Sequence, residues 1–415
     1  MKWLVTFFLC MATLCFASEP TSAVSGRIVD SSGKPLAHAT VLVYHAGVKV
    51  GYSTYCPSCY RECGKRVTTN QNGEFSVQGL VPDLWFTLLA VHDGYVPTIS
   101  EKLDPVKGSG VSIVLAPRRV TSGSSIARGR VTDSAGNPVH DAIIQPIGLI
   151  LGQSSVYGTV DGLDPLAATN AQGDFELSYR GTSPAMLVEV EGRGYAPKFA
   201  QLTTGADRAH LVVSEGATIR GTLLANGKPV GNAEVGLIAK ERGGYMDKLK
   251  ILGAPYEEQR VGTAPDGSFL ISNVPEPVTW LIYGKMSSMP KDEGTQPVEV
   301  STSQEGEYLG KVRLVAESAH VITGKVALSD GHPMPEGMRL TLGSDTIWDT
   351  QTVTLKGDGS FEITNVPNGD FCISPSVKDY KTKSVPNSNC DLPIKVTGAD
   401  ERDLNLTLYP AKPRP

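Results

Sequence analysis

The sequence GRIVDSSGKP, from Gly26 to Pro35, decides the fold because it recurs three more times along the chain. The other copies are GRVTDSAGNP at 129–138, GTLLANGKP at 221–229 and GKVALSDGHP at 324–333. Each copy opens with a glycine, which we interpret as supplying backbone angles that other residues resist, followed by a short extended run. Each ends in Gly-x-Pro, which predicts a turn or a sheet edge because proline lacks an N–H group. The repeat indicates four copies of one structural unit.

A second block follows in every copy and supports the same interpretation. The four versions are NQNGEFSV at 70–77, NAQGDFEL at 170–177, APDGSFLI at 264–271 and KGDGSFEI at 356–363. Asn, Gln or Asp before glycine is typical of a hairpin turn, and the phenylalanine two residues later begins an alternating apolar strand. Aspartates recur near these turns, and turn formation explains them without calcium. They are Asp30, Asp133, Asp266 and Asp358.

The spacing of these blocks predicts an all-β protein of four tandem Ig-like β-sandwich domains. Strands follow one another closely, no long amphipathic helix interrupts them, and about 100 residues per copy is the usual size of such a sandwich. A chain of 415 residues is also too long for a single core. The boundaries that we predict are 18–120, 121–216, 217–317 and 318–410 for the sandwiches, and 411–415 for a tail.

The first 17 residues have the features of a secretory signal peptide. Lys2 precedes a mostly apolar run from Trp3 to Phe16, and the small residue Ala17 precedes the expected cleavage site before Ser18. The run is too short to span a bilayer, and neither nearby cysteine follows the small residue that a lipoprotein anchor needs. We therefore expect a secreted, soluble mature protein, periplasmic or extracellular, without membrane insertion.

Composition narrows the possible partners. Hydrophobic residues make up 40% and charged residues 20% of the chain, and the net charge is −5. These values are those of an ordinary globular protein, and no basic stripe is present that could neutralise phosphates. Nucleic acid is therefore excluded as an expected partner.

The combined pattern resembles a known family. It is similar to the carboxypeptidase regulatory-like domain in the order of its motifs, which are G-[RK]-V-x-D, G-x-P, Ala, T-x-x-x-G-x-F, V-P and G-Y-x-P. That domain has a transthyretin-like (prealbumin-like) β-sandwich fold. Similar domains occur in tandem in exported bacterial proteins. The resemblance covers nearly the whole mature chain and is strongest in the first two copies. The third copy lacks the opening aspartate, and the fourth has Gly337 where the others carry alanine. The resemblance implies an accessory, stabilising or binding module, in a fold grouped with starch-binding-like sandwiches.

Enzymatic motifs are missing from the sequence. No histidine is followed three residues later by the glutamate that a zinc carboxypeptidase needs, and no nucleophile elbow, P-loop or dinucleotide motif occurs. His38 and His140 occupy nearly equivalent strand positions in their copies, which favours a structural role. The adjacent Glu257 and Glu258 are interpreted as solvated loop residues. We predict that the protein is not an enzyme.

Three insertions distinguish the first three copies from the shorter fourth copy. We place them around 46–66, 147–168 and 240–260, and variable loops on a rigid scaffold are where binding surfaces tend to be built. Each could equally be a solvated spacer. The recognition surface is expected on these loops, and the first is the strongest candidate.

The first insertion contains the cluster Cys56, Cys59 and Cys63, beside the aromatic residues Tyr55 and Tyr60. Haem attachment is excluded because position 60 is not histidine, and a thioredoxin-type site would need a helix that this chain lacks. Three hypotheses remain open: a disulfide within the loop plus a free thiol, a reactive thiol or cross-link to a partner, and a metal site completed by His45 or Glu62. No cofactor is expected otherwise.

Cys372 and Cys390 flank a short excursion in the fourth copy, and we predict that they form a structural disulfide.

Carbohydrate binding is an alternative function for the whole chain, since sugars stack on exposed aromatic rings. Trp348 has polar neighbours and is the candidate ring, together with Tyr55 and Tyr60. Trp85 and Trp280 lie in apolar runs and are expected in the core.

The sequence thus predicts an exported, non-enzymatic binding or structural module with an unknown protein or glycan partner. The alternatives are a carbohydrate-binding protein and a redox or metal-handling accessory protein that uses Cys56, Cys59 and Cys63.

Overall fold

The computed structural model describes residues 22–49, 65–107, 110–118, 123–152, 154–158, 160–205, 207–240, 258–344, 346–347, 349–383 and 390–411. Within these residues the protein is built from β-strands, with one short 3-10 helix at Met286–Ser288. The strands form four pairs of sheets in chain order, and each pair encloses its own apolar core. The prediction of tandem β-sandwiches is therefore confirmed.

The first sandwich packs a three-stranded sheet, in the order β4-β1-β7, against a four-stranded sheet, in the order β3-β2-β5-β6. Its strands are β1 Ser22–Asp30, β2 Thr40–Val48, β3 Arg66–Thr68, β4 Glu74–Leu80, β5 Leu84–Val91, β6 Thr98–Ile99 and β7 Val111–Leu115. Every second residue of β5, beginning with Leu84, points into the core, because successive side chains of a strand point to opposite faces of its sheet.

The second sandwich repeats this plan with the sheets β12-β8-β15 and β10-β9-β13-β14, and β11 also pairs with β9. Its strands are β8 Ser125–Thr132, β9 Ile143–Leu151, β10 Ser154–Tyr157, β11 Ala167–Ala168, β12 Asp174–Tyr179, β13 Ala185–Glu191, β14 Lys198–Thr203 and β15 Arg208–Val212. The predicted insertion at 147–168 is not simply a loop, because β9 runs into it and pairs with β10 as a hairpin.

The third sandwich contains the sheets β17-β16-β24-β22 and β19-β18-β21-β23, and β20 pairs with β16. Its strands are β16 Ala217–Ala225, β17 Lys228–Pro229, β18 Glu234–Ala239, β19 Gln259–Gly262, β20 Ser268–Val274, β21 Val278–Gly284, β22 Glu293–Thr295, β23 Val298–Thr302 and β24 Tyr308–Ser318. The short 3-10 helix follows β21.

The fourth sandwich contains the sheets β28-β25-β32-β30 and β27-β26-β29-β31. Its strands are β25 His320–Leu328, β26 Arg339–Ser344, β27 Thr350–Thr354, β28 Ser360–Val366, β29 Gly369–Ser376, β30 Tyr380–Lys381, β31 Leu392–Val396 and β32 Glu401–Pro410. The predicted disulfide is present and joins Cys372 on β29 to Cys390, two residues before β31.

The first strand of every sandwich lies between two neighbours of opposite direction. β1, β8, β16 and β25 pair antiparallel with β4, β12, β20 and β28, and parallel with β7, β15, β24 and β32. The opening block of the repeat is therefore the central strand of one sheet, and the second block is its antiparallel neighbour.

The opening glycines have a different function from the one that the sequence suggested. None of the four has a positive φ, so unusual backbone angles are not what these positions require. A Cβ on Gly26 would lie 2.0 Å from the carbonyl oxygen of Val111, and a Cβ on Gly221 would lie 2.3 Å from the Phe269 ring. Glycine is needed here because the parallel strand and the phenylalanine ring approach closely. The glycines of the turns, such as Gly33 and Gly73, do have positive φ.

A buried threonine joins the two repeated blocks in the first three sandwiches. The hydroxyl of Thr69 donates to the carbonyl of Leu36 over 2.6 Å and accepts from the amide of Ala39 over 2.8 Å. Thr169 and Thr263 make the same pair of hydrogen bonds in their sandwiches. The turn after Gly-x-Pro is thereby fixed to the chain segment just before the second block, without an unsatisfied buried polar group. In the fourth sandwich the buried Leu355 occupies this position.

The two histidines singled out in the sequence lie in turns rather than in strands. His38 has a φ of 60°, and the residue with the same geometry in the second sandwich is Asp141, with a φ of 57°, not His140. In the third sandwich the position belongs to Asn232. The prediction that these histidines lie in strands is therefore wrong, and their positions differ by one residue. What the sandwiches share is a left-handed residue before the buried alanine, and not the imidazole.

Candidate functional site

The outer face of the first sandwich presents a tryptophan. On β5 the side chains of Leu84 and Phe86 are fully buried, whereas that of Trp85 between them is half-buried and points away from the core. The expectation that Trp85 belongs to the core is therefore wrong. The period-2 alternation of Leu84, Phe86 and Leu88 is the sequence signal that could have shown it. Trp280, in contrast, is fully buried in the core of the third sandwich, as predicted.

Neighbouring residues determine how the Trp85 ring lies. Its centroid is 5.1 Å from that of His45, and the Nζ of Lys102 lies 4.2 Å from the ring centroid, within the range of a cation–π contact. Gly47 is the cross-strand partner of Trp85, and a Cβ at Gly47 would lie 2.3 Å from the indole Cζ2. The absence of a side chain at position 47 leaves room for the ring. We call Trp85, His45, Gly47 and Lys102 the Trp85 surface.

The Trp85 surface lies beside the start of the cysteine-containing insertion. β2 extends into the predicted insertion at 46–66 and ends at Val48, and Lys49 is the last described residue before 50–64, which contain the three cysteines. The Nζ of Lys49 donates to Asp104 over 2.5 Å. This hydrogen bond is the main reason why the pKa of the Asp104 carboxyl lies below its usual value. The ion pair fixes the end of β2 to the segment that follows Lys102.

A cleft of about 530 Å³ lies between the first and second sandwiches and is lined by charged residues of both. Arg118 donates to Asp164 over 3.0 Å and to the carbonyl of Glu176 over 2.7 Å, and Arg128 donates to the Glu176 carboxylate over 2.8 Å. Asp174 is held by Arg130, and their hydrogen bond lowers the pKa of the Asp174 carboxyl. The arginines that line the cleft are thus paired with carboxylates of the second sandwich. The cleft is therefore less suited to binding an anion than the number of its arginines suggests.

The same junction has an apolar centre. Leu42 and Leu89 of the first sandwich pack against Ile143 and Leu166 of the second, and all four are buried. At its edge the hydroxyl of Tyr44 donates to Gln145 over 3.1 Å. Arg66 also pairs with Asp141 across the junction.

The next two junctions are also bridged by side chains. Between the second and third sandwiches, Glu305 accepts hydrogen bonds from Ser134 over 3.1 Å and from the amide of Glu215 over 2.9 Å. Between the third and fourth, Asn365 accepts from the amide of Asp292 over 2.9 Å and donates to the carbonyl of Met289 over 3.0 Å. Each pair of consecutive sandwiches is therefore joined by direct hydrogen bonds.

Glu258 differs from its predicted environment. Its side chain is 3% exposed and receives Lys285 and Arg260, so the interpretation of Glu258 as a solvated loop residue is wrong. Glu257 lies outside the described residues. This buried carboxylate could not be recognised from the local sequence because its partner Lys285 is 27 residues away in the chain.

The remaining predicted site residues divide into two groups. The aspartates at the repeat turns do make turns: Asp30 Oδ1 accepts from the amides of Ser32 and Lys34, and the other three accept from residues two or four positions on. The aromatic and thiol candidates lie outside the described residues, and their roles stay predictions. They are Tyr55, Cys56, Cys59, Tyr60, Cys63 and Trp348.

The described part of the chain holds no cluster of three or more His, Cys, Asp or Glu side chains arranged to bind a metal ion. Among the same residues, no helix combines the length and the apolar character that crossing a bilayer requires.

Residues 23–116, the first sandwich, match the sequence model of the carboxypeptidase regulatory-like domain. This match confirms the resemblance for the first copy of the repeat. No curated protein sequence matches the chain significantly.

Several solved structures are similar at low sequence identity. The Bacillus anthracis TIE protein is 10% identical over 94% of this chain and 75% of its own, with a TM-score of 0.20. The streptococcal ancillary pilin is 11% identical over 72% of this chain and 99% of its own, with a TM-score of 0.24. GBS52, the minor pilin of Streptococcus agalactiae, is 9% identical over 48% of this chain and 98% of its own, with a TM-score of 0.24. Likeness at this level does not extend to function.

Proposed function

We propose that this protein is an exported, non-catalytic scaffold in which four β-sandwiches are held in a fixed arrangement and present a binding surface to a protein or glycan partner. The observation that carries the proposal is the side-chain bridging of all three junctions, with buried apolar residues at the first. Such contacts limit rotation between neighbouring domains, whereas domains joined by linkers alone move freely. The apolar amino-terminal segment and the disulfide support export.

Small-angle X-ray scattering of the mature protein tests the scaffold. We expect a single, well-defined maximum dimension that does not change with temperature below the unfolding transition. Leu166→Ser removes an apolar contact at the first junction and should broaden the distance distribution. The control Leu270→Ser changes a leucine that is 53% exposed and should leave the distribution unchanged. A broad, flexible-chain profile from the unmodified protein would contradict the proposal.

Glycan binding at the Trp85 surface is a second candidate function, favoured by the half-buried indole outside the core and by its two polar neighbours. An indole offers a sugar both an apolar face and a hydrogen-bonding edge. Lys102 lies over the ring and would have to move aside for a neutral sugar, whereas it could pair with an acidic one.

Titration with maltoheptaose, cellohexaose and polygalacturonate, followed by tryptophan fluorescence and calorimetry, tests this candidate. We expect the acidic glycan to quench the emission, and Trp85→Ala to abolish both quenching and heat. Trp280→Phe serves as the control, because the buried ring of Trp280 is out of reach of a ligand. Unchanged emission and heat with all three glycans would reject glycan binding at this surface.

A further inference from the structure

Three ionisable side chains are buried together where the third and fourth sandwiches meet. The Nζ of Lys285 lies 2.8 Å from Oε1 of Glu258 and 3.3 Å from Oδ1 of Asp349. The side chains of Lys285, Glu258 and Asp349 are 2%, 3% and 2% exposed. Buried charges are costly, and a lysine enclosed with two carboxyl groups therefore needs a physical explanation.

Rigid elements position each of the three groups. Lys285 directly follows β21 and precedes the 3-10 helix, Glu258 directly precedes β19, and Asp349 directly precedes β27 of the next sandwich. An apolar cluster of both sandwiches, Ile238, Leu281, Tyr283 and Ile347, packs beside them. The amine and the Asp349 carboxyl are thus brought together in a site from which water is largely excluded.

The two oxygens of Asp349 have different surroundings. Oδ2 accepts a hydrogen bond from the backbone amide of Met286 over 2.9 Å. Oδ1 is buried and has no hydrogen bond within the described part of the chain, although the Lys285 amine lies beside it. The Lys285 amine and the Met286 amide therefore approach different oxygens of the same carboxyl group.

The surroundings of Asp349 favour the protonated form of its carboxyl group. Burial raises the pKa of the Asp349 carboxyl, which outweighs the opposing effect of Lys285. Glu258 accepts from both Lys285 and Arg260. In its protonated form Asp349 is a carboxylic acid whose hydroxyl can leave as water, and Glu258 lies in contact with the amine that would lose a proton.

We propose that Lys285 and Asp349 form an intramolecular amide bond that joins the third and fourth sandwiches covalently. Glu258 takes a proton from the Lys285 ammonium group, and the free Nζ attacks Cγ of Asp349. The negative charge that develops on Oδ2 is stabilised by the Met286 amide, in the manner of an oxyanion hole.

The bond between Cγ and Oδ1 then breaks, and Oδ1 departs as water. Protons balance, because the ammonium group and the carboxylic acid bring four between them: one stays on the amide nitrogen, two leave in the water and one remains on Glu258. No oxidant, metal or further reactant is required. The bond replaces a buried charge pair by a neutral amide.

Mass spectrometry of the full-length mature protein tests the proposal. After denaturation and reduction, the intact mass should be lower than the sequence mass by one water molecule. Tryptic digestion should fail after Lys285 and give a branched peptide that carries both Lys285 and Asp349. A full sequence mass and a linear peptide cleaved after Lys285 would overturn the proposal.

Variants assign the bond to the named groups. Lys285→Arg and Asp349→Ala should each restore the missing water. The matched control Lys240→Arg changes a lysine of the same sandwich that is 46% exposed and should keep the lower mass. The measurement on the unmodified protein decides the question even if a variant folds poorly. Absence of the bond would leave the scaffold proposal intact, because scattering tests the arrangement of the sandwiches independently of its chemistry.

Discussion

Gly26 and Phe75 are direct cross-strand partners, and the same glycine–phenylalanine pair occurs in each of the four sandwiches. The glycine comes from the opening block of the repeat and the phenylalanine from the second block. The two most regular features of the sequence are therefore one structural feature. In the second, third and fourth sandwiches the phenylalanine ring lies against its partner glycine, and in all four the parallel last strand passes within contact distance of the glycine.

The first prediction concerns this pair in the third sandwich. Gly221→Ala should lower the free energy of unfolding by about 1–3 kcal/mol, because the new methyl group would meet the Phe269 ring and the carbonyl of Val312. Gly262→Ala is the matched control, since a Cβ there meets nothing within 4 Å. Urea unfolding measures both variants. Equal stability of the two would contradict the steric explanation.

The buried threonine supports a second prediction. Thr263→Val keeps the shape of the side chain but leaves the amide of Ala233 and the carbonyl of Val230 without their partner. We expect a loss of about 1–3 kcal/mol in the free energy of unfolding. Thr279→Val, whose hydroxyl bonds only to Ser301 at the surface, should change stability by less than about 0.5 kcal/mol. Thermal and urea denaturation would show whether the two variants differ.

The turn aspartates predict an acid-sensitive component of stability. Hydrogen bonds from the turn residues lower the pKa of Asp30, Asp133, Asp266 and Asp358 below the unfolded value. Such groups stabilise the folded state above the unfolded pKa, and this contribution disappears as the pH falls through the lowered folded pKa.

Unfolding measured at neutral pH and in a series down to about pH 2 tests this component. Asp133→Asn should lower stability at neutral pH and lose less of it on acidification than the unmodified protein does. Identical pH profiles for the two proteins would show that this turn contributes nothing to the acid sensitivity.

The disulfide supports a fourth prediction. Cys372 and Cys390 are 18 residues apart, and closing a loop of that size stabilises a protein by about 3 kcal/mol. The double variant Cys372→Ser/Cys390→Ser should lose about that much from the unfolding transition of the fourth sandwich. Calorimetry with and without reductant measures the loss. A reductant that destabilises the double variant as much as the unmodified protein would point to cysteines elsewhere.

The repeats made the fold predictable from the sequence, since glycine, proline and phenylalanine recur at the positions where backbone geometry and close packing are strictest. The errors came from positions where the local pattern was ambiguous. Trp85 lies in an apolar run, yet it falls between the inward-pointing Leu84 and Phe86 on β5, so its own side chain points away from the core. The turn before the buried alanine requires a left-handed residue, and both His38 and Asp141 provide it.

The buried group around Lys285 could not be predicted from local sequence. Lys285 ends an apolar strand, Glu258 lies in what looks like a polar insertion, and Asp349 belongs to another sandwich. Only the packing of the third sandwich against the fourth brings the three side chains together. The pairing of Cys372 with Cys390 was easier, because both residues fall within one sandwich and its size limits how far apart they lie.

The parallel pairing of the first and last strands gives every sandwich a mechanical property. A force that pulls on the two ends of the first sandwich acts on the start of β1 and the end of β7, which lie at opposite ends of one parallel ladder. Tension therefore shears the ladder, and the pairs from Gly26–Val111 to Asp30–Leu115 bear the load together instead of opening one after another. The same geometry occurs in the other three sandwiches, so each of them resists stretching along the direction of the chain.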